Sequence, residues 1–208
     1  MTWPTRLPLI AILRGITPDE VIVHVAKLIE VGFDAIEVPL NSPNSLISIE
    51  RLVSEFGTQA CIGAGTVLDV EAVDRLAALK CRLIVTPNTD PAVVRRARGH
   101  DMLCAIGCAT PSEAFAAIRA GAQAIKIFPA GIFGPAYIRA LKAVLPPDLP
   151  VFAVGGVTPG TLADYLAAGC VGAGLGGDLY QPGQPVSRTE QQAHAFIEAY
   201  RSAVKVKQ

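Results

Sequence analysis

The sequence predicts an α/β fold: a single-domain, parallel (β/α)8 barrel of the TIM type spanning residues 1–208. Three observations carry the prediction. A short apolar run, a turn and a longer amphipathic segment closed by glycine recur along the whole chain, which is the pattern of the βα unit. Eight such units can be counted. At about 26 residues per unit, 208 residues half of which are apolar suffice for one large core with short loops. The alternative, an open doubly wound sheet, calls for a G-x-G-x-x-G turn after the first strand, and none is present.

Taken in order, Leu9–Leu13 is the first strand, and Thr17-Pro18-Asp19-Glu20 opens a helix with a capping threonine, a proline in first position and a glutamate reaching back. Gly32 closes that helix. Ala35–Pro39 is the second strand, followed by a helix closed by Gly57, the third strand Cys61–Ala64 and the fourth Leu83–Val85. Gly99 closes the next helix. Leu103–Ile106 is the fifth strand, and Thr110-Pro111-Ser112-Glu113 repeats the capping signature before a helix closed by Gly121. Ala124–Ile127, Val151–Val154 and Val171–Leu175 complete the set, with Thr158-Pro159 and Gly169 bounding the helix between the last two.

Composition narrows the partners. Eighteen basic and eighteen acidic residues cancel, so the positive field that nucleic acid or an anionic membrane surface demands is missing, and a small molecule is expected instead. The run Leu7 to Leu13 follows one basic residue, contains Pro8 and lacks a small-residue cleavage site, so it reads as a strand and not a signal peptide. No apolar stretch approaches the roughly 20 residues of a membrane span. Cys61, Cys81, Cys104, Cys108 and Cys170 form no C-x-x-C pair and read as reduced thiols of a cytoplasmic protein.

Active groups of such barrels sit at the C-terminal ends of strands, so polar residues that interrupt the ends of apolar runs are the candidates. Lys126 lies in Ala124-Ile125-Lys126-Ile127-Phe128-Pro129, and alternation along the strand puts it on the inward face with Ala124 and Phe128. The ordinary reading is a lysine with a buried stem and an ammonium reaching water, or one neutralised by a structural carboxylate. Flanking isoleucines speak against a solvated position, and desolvation leaves more free amine, the form that attacks a carbonyl. Glu37 shares the inward face of Asp34-Ala35-Ile36-Glu37-Val38-Pro39-Leu40 with Ala35 and Pro39. An inward glutamate and lysine form either a structural ion pair or an amine with its proton shuttle, and their position favours the second.

Thr66, closing Gly63-Ala64-Gly65-Thr66-Val67, reads alone as a turn or cap residue. Arg14, directly after strand one, carries a forked guanidinium suited to a carboxylate or phosphate, or else makes a surface ion pair. Gly155-Gly156 after strand seven and Gly176-Gly177 after strand eight occupy the two loops where this fold binds phosphate on backbone N–H groups. His24, His100 and His194 lack metal-ligand spacing, and neither a metal nor a cofactor is expected. Cys104 and Cys108, four apart, could face one another at a strand end without pointing to metal or redox chemistry.

From Leu7 to Tyr200 the chain resembles the family of 2-keto-3-deoxy-6-phosphogluconate and phosphogalactonate aldolases. The likeness is carried by Ile12-Leu13-Arg14-Gly15, Glu37-Val38-Pro39-Leu40-Asn41-Ser42, Gly63-Ala64-Gly65-Thr66-Val67, Thr86-Pro87-Asn88, Lys126-Ile127-Phe128-Pro129 and Gly155-Gly156-Val157. It implies Lys126 as the Schiff-base lysine and Glu37 as the general acid/base. It implies Arg14, Thr66, Asn41, Pro87 and Phe128 at the substrate, glycine loops at the phosphate, and a homotrimer. The gluconate branch usually ends strand two in Thr-Leu-Arg, whereas Pro39-Leu40-Asn41 stands here with the arginine at Arg14. That resembles the galactonate branch, which releases pyruvate and glyceraldehyde 3-phosphate. Gly177 stands where a serine is expected beside the phosphate, and Ile106 where proline often precedes Gly107-Cys108. The gluconate substrate, a non-covalent phosphosugar isomerase or epimerase, and a non-catalytic sugar-phosphate binding protein are the rival readings.

Overall fold

The computed structural model describes residues 3–205 and forms a closed parallel barrel in which each strand pairs with its neighbours in sequence and the eighth with the first. The strands are β1 (Leu9–Ile12), β2 (Ala35–Pro39), β3 (Cys61–Gly65), β4 (Leu83–Val85), β5 (Leu103–Cys108), β6 (Ala124–Ile127), β7 (Val151–Val154) and β8 (Gly172–Leu175). Between and after them run α1 (Val21–Val31), α2 (Ser45–Phe56), α3 (Val70–Ala78), α4 (Pro91–Gly99), α5 (Pro111–Ala120), α6 (Ala130–Lys142), α7 (Leu162–Ala167) and α8 (Val186–Lys205). All eight expected strands are present, with ends displaced by two residues at most.

Period-two alternation sorts the strand side chains into two apolar populations. Ile36, Val38, Ile62, Ala64, Ile125, Ile127, Val151 and Ala153 face the helices. Ile10, Ile12, Ala35, Leu83, Val85, Ala105, Ala124, Phe152 and Val154 fill the barrel. Trp3 packs its ring edge-on against Phe152, with centroids 4.8 Å apart, and joins this inner cluster. Cys104 and Cys108 lie buried on the outward face against the helices, so their four-residue spacing places both in the outer layer.

Helix punctuation follows the sequence in part. At α5 the Thr110 hydroxyl oxygen accepts from the Glu113 amide at 3.3 Å, while the Glu113 carboxylate accepts from Ala109 N at 2.9 Å and from the Thr110 hydroxyl at 2.8 Å. The similar signature at Thr17 makes a turn instead. Glu20 accepts from Thr17 N at 3.0 Å and from the Tyr180 hydroxyl at 2.9 Å, and α1 starts only at Val21. The tertiary bond from Tyr180 also engages Glu20 at the helix entrance, and the Thr17 hydroxyl makes no cap bond among the described residues. Gly32, Gly121 and Gly169 have the left-handed φ expected of C-terminal glycines, but Gly57 is right-handed and Gly99 is the last residue of α4, where Asp101 at φ 57° makes the reversal.

These contacts separate two superficially identical motifs. Thr110→Ala removes a working cap and should lower unfolding free energy by about 1 kcal/mol, whereas Thr17→Ala should stay within about 0.5 kcal/mol of the parent. Urea denaturation of both variants checks the contrast.

Candidate active site

Strand register decides which polar side chains meet. Lys126 pairs with Gly107 on one side and Phe152 on the other, while Glu37 pairs with Ile12 and Gly63. β2 and β6 stand opposite one another in a ring of eight strands, so these two inward side chains approach across the barrel axis. Glu37 is 2% exposed and Lys126 6%. Yet no ion pair joins them among the described residues. The expected alternative of a structural ion pair is therefore not what the barrel holds.

Space for the carboxylate comes from β3. A Cβ on Gly65 would fall onto the Glu37 carboxyl group, so the glycine at this position admits Glu37. The Glu37 Oε2 atom is buried with no hydrogen-bond partner among the described residues, leaving an acceptor free for chemistry. Lys126 Nζ lies 4.9 Å from the centroid of the Phe128 ring. Burial drives both titrations. It pushes the Glu37 carboxyl up to about 7, against the pull of the Lys126 and Arg14 charges. It pushes the Lys126 amine down to about 8, with Glu37 opposing the shift and Arg14 adding to it.

Above this pair, at the C-terminal ends of the strands, opens a cavity of about 420 Å3. Of the residues expected at a site, Arg14, Thr66, Pro87, Phe128, Gly155, Gly156, Gly176 and Gly177 all line it. Lys126 lies one inward position below Phe128 on the same strand face, beneath the wall. Asn41 is off the wall as well: its Oδ1 accepts a 2.6 Å hydrogen bond from Arg14 Nη1, which also reaches Thr66 Oγ1 at 3.5 Å. Arg14 is exposed and makes no ion pair among the described residues. A larger cavity of about 660 Å3 opens at the opposite end of the barrel, between residues such as Asp34, Gln59, Arg82 and Asp101. It touches neither Lys126 nor Glu37, and active sites of this fold lie at the other end.

The far side of the smaller cavity suits an anion. Gly155 and Gly156 take φ of 91° and 78°, and the amides of Gly156 and Gly177 have no acceptor among the described residues. Thr66 has φ of 55°, a left-handed conformation that is rare for a β-branched residue and marks a strained position beside the cavity. Ile12, Val154, Val157, Gly174 and Asp178 also line the wall and were not anticipated. Alternation along β1, β7 and β8 would have found Ile12, Val154 and Gly174. Nothing in the sequence marks Asp178, an acidic residue at the anion side.

With this geometry established, residues 4–193 match the family model described as KDPG and KHG aldolase. The chain belongs to that aldolase family. It is 62% identical over 205 residues to the 2-dehydro-3-deoxy-6-phosphogalactonate aldolase of Escherichia coli strain K12, covering 99% of this chain and 100% of that one. Identity to the 2-dehydro-3-deoxy-phosphogluconate aldolase of Pseudomonas aeruginosa is 36% over 145 residues, covering 68% and 65%. The solved native KDPGal structure superposes with a TM-score of 0.98 at 62% identity, covering 99% of this chain and 100% of that one. The aldolase fold is thus shared over nearly the full chain.

The buried carboxyl has a consequence for stability. Its folded-state pKa, about 7, lies above the ordinary 4.5, so the favourable protonated form is fully present below about 4.5 and its stabilisation is lost as pH rises through 7. A glutamine escapes that loss. Glu37→Gln should therefore gain melting temperature relative to the parent between pH 5 and pH 8, about the interval bounded by these values. Thermal melts at both ends check the sign, and a pH-independent difference would contradict the burial of the ionised carboxylate.

Proposed function

We propose that the chain is a class I aldolase that cleaves 2-dehydro-3-deoxy-6-phosphogalactonate to pyruvate and glyceraldehyde 3-phosphate. The observation that carries the reading is a desolvated Lys126 amine opposite a buried Glu37 carboxyl with a free acceptor atom, beneath a cavity at the C-terminal end of the barrel. The difference in identity, 62% against 36%, favours the galactonate over the gluconate substrate.

In the forward direction the Lys126 amine adds to the C2 ketone to give a carbinolamine, and protonated Glu37 gives its proton to the C2 hydroxyl, which leaves as water so that the iminium ion forms. The iminium is the electron sink. Glu37, now a carboxylate, takes the proton of the C4 hydroxyl. The C3–C4 bond breaks, C4 becomes the aldehyde carbon of glyceraldehyde 3-phosphate, and the bonding electrons settle as an enamine on Lys126. Protonation at C3 restores the iminium, and water releases pyruvate and the free amine. Arg14 and Thr66 hold the C1 carboxylate, with Asn41 beside them and Pro87 and Phe128 as walls. The loops of Gly155, Gly156, Gly176 and Gly177 hold the phosphate on backbone N–H groups. The assembly is the homotrimer that the family resemblance implies. The compartment is the cytoplasm, in keeping with five cysteines that form no disulfide.

Borohydride with pyruvate should reduce a single adduct that peptide mapping locates on Lys126. Lys126→Met should lose adduct and cleavage together, while Glu37→Gln should slow cleavage by roughly 10²–10⁴-fold and still form some adduct. Trapping on another lysine would overturn the assignment of Lys126, and the absence of any trapped adduct would hand the case to a non-covalent isomerase or a binding protein. In a lactate-dehydrogenase-coupled assay the galactonate substrate should exceed the gluconate epimer in kcat/KM, and equal or reversed preference would overturn the substrate assignment.

A further inference from the structure

Arg14 is a long, exposed side chain on a loop, and such a side chain loses considerable rotamer freedom whenever it must hold one pose. What holds it here comes from the next loop of the barrel. Besides the 2.6 Å bond from Arg14 Nη1 to Asn41 Oδ1, the adjacent Gly15 amide donates to Ser42 Oγ at 2.9 Å. Two consecutive residues after β1 are thus latched to two consecutive residues after β2. The second loop is itself fixed, because Ser42 N donates to Pro39 O at 2.9 Å and Leu40 N to Gly65 O at 2.8 Å. Gly15 has φ of 83°, a conformation that glycine adopts without steric cost.

The chemistry of the latch matters as much as its geometry. An amide oxygen accepts from a guanidinium without cancelling its charge, whereas an aspartate in its place would form an ion pair and weaken the pull on a substrate anion. Arg14 retains its remaining N–H donors and its full charge toward the cavity it lines. Asn41, which is not on the cavity wall, has no such approach.

We infer that Asn41 is a positioning residue: it acts on the substrate carboxylate only through Arg14, by pre-orienting the guanidinium while leaving it charged. The inference rests on the reading of Arg14 as the carboxylate clamp. It is tested by a double-mutant cycle on the full enzyme, with kcat, KM and melting temperature measured for Asn41→Ala, Arg14→Gln and the double variant. Asn41→Ala should raise KM by about tenfold with a much smaller change in kcat, the size expected from losing one charge-assisted hydrogen bond. In the Arg14→Gln background the same substitution should change KM by less than about twofold, since nothing is left to orient. An Asn41→Ala effect of equal size in both backgrounds, or no effect on KM in the parent while Arg14→Gln raises it, overturns the inference alone. If Arg14→Gln itself leaves KM unchanged, the clamp reading fails and the inference falls with it.

Discussion

Keeping an amine and a carboxyl in an apolar barrel without letting them form a closed ion pair is the constraint on which the rest of this molecule turns. Desolvation penalises both charged forms, and the penalty is what brings the two titrations toward neutrality. Had the side chains met in a tight salt bridge, their mutual attraction would have held the lysine protonated and the carboxylate ionised, and neither would be available for proton exchange. The barrel avoids this by putting them on opposite strands and by leaving glycine beside each. Gly107 neighbours Lys126, Gly63 neighbours Glu37, and Gly65 clears the volume that the Glu37 carboxyl occupies.

The same arrangement divides the substrate-facing end into two electrostatic halves. On one side Arg14, braced by the loop after β2, and Thr66 offer charged and hydroxyl donors. On the other, Gly156 and Gly177 offer backbone amides that no protein acceptor occupies among the described residues. Both sets of donors line the one cavity, which therefore suits an anionic ligand. Backbone at positive φ adjoins the cavity at Thr66, where it is strained, and at the Gly155-Gly156 pair, where glycine takes it freely, while the inner apolar cluster lies beneath.

Alternation and punctuation made the barrel legible in the chain, because period-two patterning in a strand and cap residues at helix ends are local properties. Thr110 and Glu113 read correctly because their partners lie within four residues. Thr17 and Glu20 carry the same letters, and Glu20 does reach back to the Thr17 amide, but the first turn is not helical and α1 starts at Val21. The bond from Tyr180, in a distant part of the chain, is a contact that no local pattern shows.

The sequence by itself determined that Lys126 and Glu37 point inward, that glycines crowd the loops after strands seven and eight, and that eight units close into one domain. Each follows from spacing along a single strand or from the length and apolar content of the chain. Only the tertiary structure decided that Glu37 and Lys126 stay unpaired, that Gly65 makes room for the carboxyl, that Asn41 braces Arg14 from behind the cavity wall, and that Asp178 joins that wall. Those facts depend on the register between strands and on loops brought together from separate βα units, and register is a relation between distant segments that no local pattern encodes.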